Sequence, residues 1–376
     1  MKSNKENILI TVLFCGFLGV MLLCYAFLPK QTFSEKEKRY LAEKPVLSGE
    51  NLLSGELDDQ IEEYMSDHIP GRNLFVGINA YADLLLGRQT TKDVRLLHDG
   101  RIVEAPVAWN QQTVEKNMKA VSDFAAQLGR EVNLLIVPSA GWASAEKAVR
   151  GLDLFSREEY PDEAYIRDIY AMAGEQVRTM DVLELLRGRE DRFYRTDHHW
   201  NSRGAYAVYR FCMESLERDY IPEDAFTVEA VPGFQGSTYT RSGLWLTPGE
   251  ELELWHGPSA LTVTNGESET VHEGVFYRER LQESDKYTVF LDGNHSIVRI
   301  DNPDRKGSGK LLVIRDSYAN SLGCFLAESY ETVVLVDLRY YKKAVSELYA
   351  QEEFTDILIC YCIGNFMTDT NLVWLR

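Results

Sequence analysis

Hydrophobic and polar positions follow three different rhythms along this chain. Residues 8–28 read ILITVLFCGFLGVMLLCYAFL, 21 positions without a charge. At ~1.5 Å of rise per residue, a helix of that length crosses a hydrocarbon core of roughly 30 Å. It has no polar stripe, so it does not read as a helix lying on a soluble core. A cleaved signal peptide would carry a shorter apolar region and a small-residue cleavage site, whereas the exit here is Tyr25-Ala26-Phe27-Leu28-Pro29. Residues 1–30 are expected to be an N-terminal signal anchor.

The second rhythm covers residues 31–90, charged and weakly periodic, expected to form a stalk with two membrane-proximal helices. These are placed over 57–67 and 74–86, joined by the turn Asp67-His68-Ile69-Pro70-Gly71-Arg72. From Val94 onward the third rhythm sets in: short apolar runs alternate with amphipathic stretches. Strands are expected over 133–137, 193–195, 311–314, 333–336 and 357–362, and helices over 111–128, 164–179, 202–216 and 318–328. Alternating β and α segments with Val/Ile/Leu-rich strands predict a mostly parallel sheet covered on both faces. Residues 91–376 therefore read as one α/β domain. Its pattern breaks between about 220 and 302, where Gly, Thr, Ser and scattered aromatics predict a β-rich insertion that faces substrate.

Composition narrows the function. At 45% hydrophobic and 11% aromatic the chain can bury a large core, which excludes global disorder and low complexity. The formal charge is −18, and Lys2, Lys5 and Lys30 against Glu6 leave residues 31–376 with −20. So acidic a body repels phosphate backbones, and nucleic acid is not an expected partner. Six cysteines are too few for a disulfide scaffold; Cys212, Cys324, Cys360 and Cys362 read as buried thiols. Lys2 and Lys5 precede the apolar span and Lys30, Lys36, Lys38 and Arg39 follow it. The short basic leader favours export of the body to the extracytoplasmic side.

Two segments carry chemistry. In Thr196-Asp197-His198-His199-Trp200-Asn201, strand-end alternation would turn Asp197 and His199 to one side and His198 to the other. Asp197 would then accept from the imidazole and set its tautomer. In Arg315-Asp316-Ser317-Tyr318, an apolar strand meets a helix start, which places a hydroxyl at the carboxyl edge of a sheet, where α/β proteins bind ligands. The helix start is also expected to offer unpaired N–H groups to an oxyanion. Each segment alone has a plainer explanation: Ser317 as a helix cap, the Asp-His-His cluster as a metal site or a solvated turn. A metal would need further ligands, and His68, His98, His256, His272 and His295 show no matching spacing. No metal or cofactor is expected. Together the segments supply nucleophile, base and orienter for acyl transfer.

The run Tyr194 to Asn201, with Gly204-Ala205-Tyr206, resembles the DHHW protein family. The resemblance extends through Asp67–Arg72, Pro138-Ser139, Phe290–His295, Arg315–Asn320 and Val336–Tyr341. That family is similar to the SGNH-hydrolase-like proteins of alginate and other polysaccharide O-acetylation systems. It implies a flavodoxin-like three-layer α/β fold in which the Asp-x-His element precedes the serine. It also implies Ser317 as nucleophile, His199 as base and Asp197 as its orienter. By the same resemblance Asn365, in Gly364-Asn365, is the nearest match to an oxyanion-binding asparagine, with Arg339 and Asn294 as further candidates. The implied activity is O-acetyl transfer to a cell-surface or secreted polysaccharide, with a membrane-bound O-acyltransferase as the acetyl-donor partner. A carbohydrate esterase, or a non-catalytic carbohydrate-binding subunit, is the alternative. Phe234, Tyr239, Trp245 and Trp255 in the insertion suit either stacking on sugar rings or core filling.

Overall fold

A computed structural model describes residues 2–34, 36–88, 90–91, 93–97, 99–145, 159–266, 268 and 270–376. His98, considered above as a metal ligand, lies outside the described residues. The chain forms two compact units, residues 1–88 with 243–245 and residues 89–242 with 246–376.

In the first unit, helix α1 (Lys2–Phe27) contains an apolar stretch, Lys5–Phe27, long enough to cross a membrane. Helices α2 (Glu56–Asp67) and α3 (Arg72–Leu85) follow. The turn between them is tied down by charge: Asp67 accepts from both terminal nitrogens of Arg39 and from the Ala42 N–H. Trp245 packs on Gly77 of α3 and donates through Nε1 to the Asn73 carbonyl at 2.8 Å.

The second unit is built on a sheet. Its strands are β1 (Val132–Val137), β2 (Val177–Met180), β5 (Thr262–Asn265), β6 (Val271–Glu273), β7 (Ile297–Asp301), β8 (Lys310–Arg315), β9 (Thr332–Val336) and β10 (Asp356–Cys362). Strands β3 (Thr227–Phe234) and β4 (Glu250–His256) pair apart from it as an antiparallel ribbon. The eight strands run in the order β6-β5-β7-β9-β8-β10-β1-β2. Five of them, β9-β8-β10-β1-β2, are parallel. If β8 is counted first, those five stand in the flavodoxin-like order 2-1-3-4-5, with the fifth strand joined to the first and the chain opened between the third and the fourth. Residues 311–315 are all buried, so both faces of β8 are covered, as in the middle layer of three. Helix α6 (Ser202–Ser215) packs on α7 (Ala319–Leu326), and α8 (Ile363–Thr368) packs on α4 (Gln111–Leu128) and α5 (Asp162–Ala171).

Several expected elements change. The helix expected over 164–179 ends at Ala171, and Val177–Met180 instead pairs with β1. The β-branched edge strand gains a parallel partner that no local pattern announces. The strand expected over 193–195 reduces to one bridge, Phe193 to Trp200. The 220–302 segment contributes β5, β6 and β7, which extend the central sheet with antiparallel strands. Among its aromatics, Phe234, Tyr239 and Trp255 are buried and fill the core, so those three are not offered to a sugar, and half-buried Trp245 packs in the first unit. All four body cysteines are buried and unpaired.

Candidate active site

The connections out of β8 run in opposite directions, to β9 on one side and on to β10 on the other. This is a topological switch point, and a crevice opens beyond the carboxyl ends of the two strands. Ser317 follows β8 and Ile363-Gly364-Asn365 follows β10, so both reach that crevice.

Asp316 builds the turn that presents Ser317. Its carboxylate is fully buried and accepts from Tyr318 N–H at 3.0 Å, Cys362 N–H at 2.9 Å and Asn365 Nδ2 at 2.9 Å. The helix start is thus satisfied by Asp316, and the Ser317 hydroxyl is not a cap. Its Oγ lies 2.8 Å from His199 Nε2.

Asp197 and His199 come from a tight loop. Tyr194 N–H bonds His199 O and Asn201 N–H bonds Arg192 O, folding residues 192–201 back on themselves. Inside the loop the Asp197 carboxylate accepts the His199 N–H at 2.9 Å, an Asx turn, and the same Oδ1 takes His199 Nδ1 at 2.6 Å. Strand alternation is therefore not what places this pair. Nor does His198 point away, because its ring centroid is 3.8 Å from that of His199. The loop's tryptophan explains its presence: Trp200 Nε1 donates to Tyr318 O and Ser321 Oγ, both at 3.0 Å, locking the loop to the turn bearing Ser317.

Several residues that no spacing rule marks complete the site. Tyr287 stacks on His199 with centroids 4.0 Å apart and planes 7° apart, and its hydroxyl donates to Ser317 O at 3.3 Å. Ser237 N–H donates to Asp197 Oδ2 at 2.6 Å. A Cβ on Gly236 would come within 2.2 Å of that carboxylate, so only glycine lets the chain pass. Glu250 accepts from the N–H groups of Arg195 and Thr196 and from the Thr196 hydroxyl, holding the entry to the loop. Residues 236, 237, 250 and 287 all belong to the expected insertion. Only the third dimension joins them to Asp197 and His199.

Electrostatics follow from burial. Desolvation alone would raise the Asp197 carboxyl. The facing His199 and His198 rings and the bonds from His199 and Ser237 N–H outweigh it and hold Asp197 well below the usual carboxylate range. Burial and the neighbouring His199 push the His198 imidazole down. Ligand atoms of Asp197, His198 and His199 lie within 4.8 Å of one another, enough to gather round a metal ion. Here, however, Asp197 Oδ1 and His199 Nδ1 are committed to each other, and His198 Nδ1 to Ser237 Oγ.

The remaining sequence candidates separate. Asn365 is engaged with Asp316, as above. Arg339 forms a two-pronged pair with the buried Asp337 through Nε and Nη2. Asn294 Oδ1 accepts from Arg315 Nη1 at 3.0 Å and from Asn320 Nδ2 at 3.2 Å. The expected row of unpaired N–H groups is mostly absent: Tyr318, Ala319 and Asn320 donate to Asp316 Oδ1, Asp316 O and Ser317 O.

A 2-1-3-4-5 parallel sheet opened before its fourth strand, with an Asp-x-His loop after the fifth strand and a serine after the first, defines a permuted SGNH-hydrolase-like α/β fold. The DHHW protein family matches residues 113–336, more than half of the chain, and the chain belongs to that family. Solved structures agree on the fold. A DHHW family protein from Eubacterium siraeum superposes with a TM-score of 0.63 at 20% identity, covering 76% of this chain and 95% of that one. Bacillus cereus PatB1, solved with a sulfonyl adduct, matches with a TM-score of 0.59 at 20% identity, covering 73% of this chain and 96% of that one. The O-acetyltransferase domain of Pseudomonas putida AlgJ matches at 0.44 and 15% identity over 73% of this chain and 92% of that one, too distant a likeness to bear on function. No curated protein matches the sequence.

Proposed function

We propose that this protein is a membrane-anchored, extracytoplasmic serine O-acetyltransferase acting on a cell-surface or secreted polysaccharide. The observation that carries the reading is the continuous hydrogen-bonded line from Asp197 through His199 to Ser317, at 2.6 and 2.8 Å. In it Ser317 Oγ attacks the acetyl carbonyl carbon and its proton passes to His199 Nε2, while the carbonyl electron pair moves to oxygen. Collapse restores the carbonyl and expels the donor's oxygen, which leaves with the proton from His199. Acetyl-Ser317 remains. The acceptor sugar hydroxyl then gives its proton to His199 and attacks, and the second collapse expels Ser317 Oγ, which takes that proton back from His199. Asp197 stays ionised throughout and stabilises the imidazolium. Its depressed pKa suits that role. Ser317 is only 8% exposed, a recessed position that helps keep water from the acyl-enzyme.

The acetyl donor in this reading is a membrane-bound O-acyltransferase, since cytosolic acetyl-CoA does not reach an exported body. The test is turnover of a small acetyl ester by the full chain, with and without an acetyl-free polysaccharide. Acetyl appearing on the glycan is the expected result. Release of acetate that no glycan diverts would make the protein an esterase. No turnover under either condition would leave it a non-catalytic subunit.

Location is tested separately. Lys2 and Lys5 before the uncharged span of residues 8–28 favour an amino terminus inside, and the −20 of the body is no obstacle because long domains translocate largely regardless of charge. Protease added to intact spheroplasts is expected to digest the body and leave a small membrane-embedded stub. A fully protected body would place it in the cytoplasm and overturn the polysaccharide reading.

A further inference from the structure

We propose that α3 is an interfacial helix, which lays Leu74, Phe75, Ile78, Leu85 and the adjoining Leu86 into the lipid surface from which α1 emerges. The inference rests on the reading of α1 as a membrane span. Helix α3 is apolar on two sides. At about 3.6 residues per turn, Gly77 and Ala80 share one side, and both are buried, Gly77 against Trp245. The five large side chains fall on another side, within a sector of about 120°. All five are exposed, Leu85 and Leu86 at 88% and 75%. Asn79 and Asp83 form a polar strip beside them. One apolar face is enough to seat a helix on its own unit, and a second one left exposed marks a further contact.

The start of the helix shows what that contact is. Lys30 Nζ donates to Tyr25 O at 2.6 Å and lies 3.5 Å over the Tyr25 ring. A tyrosine and a lysine closing an apolar span settle at a membrane–water boundary. The turn before α3 touches the chain at that level. His68 Nε2 donates to the Gln31 carbonyl at 3.1 Å, and Leu28 and Pro29 wall one cavity with Ile69, Pro70 and Asn73. Helix α3 therefore starts beside the end of α1, which brings its exposed leucines within reach of lipid.

Charge does not supply the attraction. Residues 29–88 hold eleven Asp and Glu against seven Lys and Arg, so anionic headgroups repel this unit. The apolar stripe must provide the binding, with the helix lying in the plane of the surface and its apolar side ~5–10 Å deep.

The test reconstitutes the full chain in vesicles of phosphatidylcholine, part of it carrying a diazirine near the glycerol end of one acyl chain. Light attaches that lipid to whatever lies beside it, and peptide mass locates the adducts. Adducts are expected on α1 and on residues 72–86. In Leu74→Glu/Ile78→Glu/Leu85→Glu those on 72–86 should fall several-fold, while those on α1 stay as in the parent. The three side chains are exposed, so the exchange removes no packed core. Asn79→Glu, on the polar strip, should change neither. A parent labelled on α1 but not on 72–86 would overturn the proposal, whether water or another protein chain faces the helix. Undiminished labelling of 72–86 in the triple variant would overturn it as well. An unlabelled α1 would instead overturn the membrane-span reading itself.

Discussion

In the proposed mechanism Ser317→Ala is expected to lower acetyl-ester turnover at least about a thousandfold, because losing the nucleophile of a coupled triad would leave only the catalysis of binding and oxyanion stabilisation. The fold should be little affected. The turn is pinned by Asp316, whose three hydrogen bonds do not involve the serine hydroxyl. The variant loses one side-chain hydrogen bond, to His199, worth about 1 kcal/mol. Thermal melting followed by circular dichroism, beside the kinetic assay, separates the two effects. An alanine variant that keeps most of the parental rate would show that Ser317 is not the nucleophile.

The second large effect divides the adjacent histidines. His199→Ala should match Ser317→Ala, since His199 alone bridges the serine and Asp197. His198→Ala should cost far less: its Nδ1 bonds the Ser237 hydroxyl and it is not in line with Ser317. The Ser317→Ala/His199→Ala double variant should be no worse than either single one, as for groups that act as a unit. Asp197 adds a dependence on pH. Its folded-state pKa lies below its unfolded value, so its contribution to stability is complete above about pH 4 and is lost as pH falls through the folded value. The melting-temperature gap between the parent and Asp197→Asn should therefore narrow as pH drops below about 4. A gap that is constant or widens in acid would mean the carboxylate is not stabilised by its histidine neighbours. His198→Ala being the more damaging variant would put the other imidazole in the working position.

The amino-acid order alone determined what depends on short-range physics. Helix α4 runs over Gln111–Leu128 as its periodicity predicts, with an Asn110 cap and Gly129 just beyond. The all-apolar stretch of β8 and the turn after it are legible because a doubly covered strand must be apolar on both faces. Asp197, His199 and Ser317 were legible together because a carboxylate, an imidazole and a hydroxyl at strand ends form a chemical set. Tertiary structure decided the rest. Residues 177–179 continue a helical pattern locally, yet become strand because β1 offers a free edge. Asp197 meets His199 through an Asx turn inside a folded-back loop, a geometry set by Glu250, Gly236 and Ser237 from 35 or more residues away. Asn365 matches the expected motif and donates to Asp316, whereas Asn294 has no motif and accepts through Oδ1 from Arg315 and Asn320. How each amide is engaged depends on partners distant in sequence, Arg315 and Asn320 for Asn294 and Asp316 for Asn365. Periodicity and capping act within about one turn of chain, but a buried polar group is satisfied by whatever the fold brings beside it.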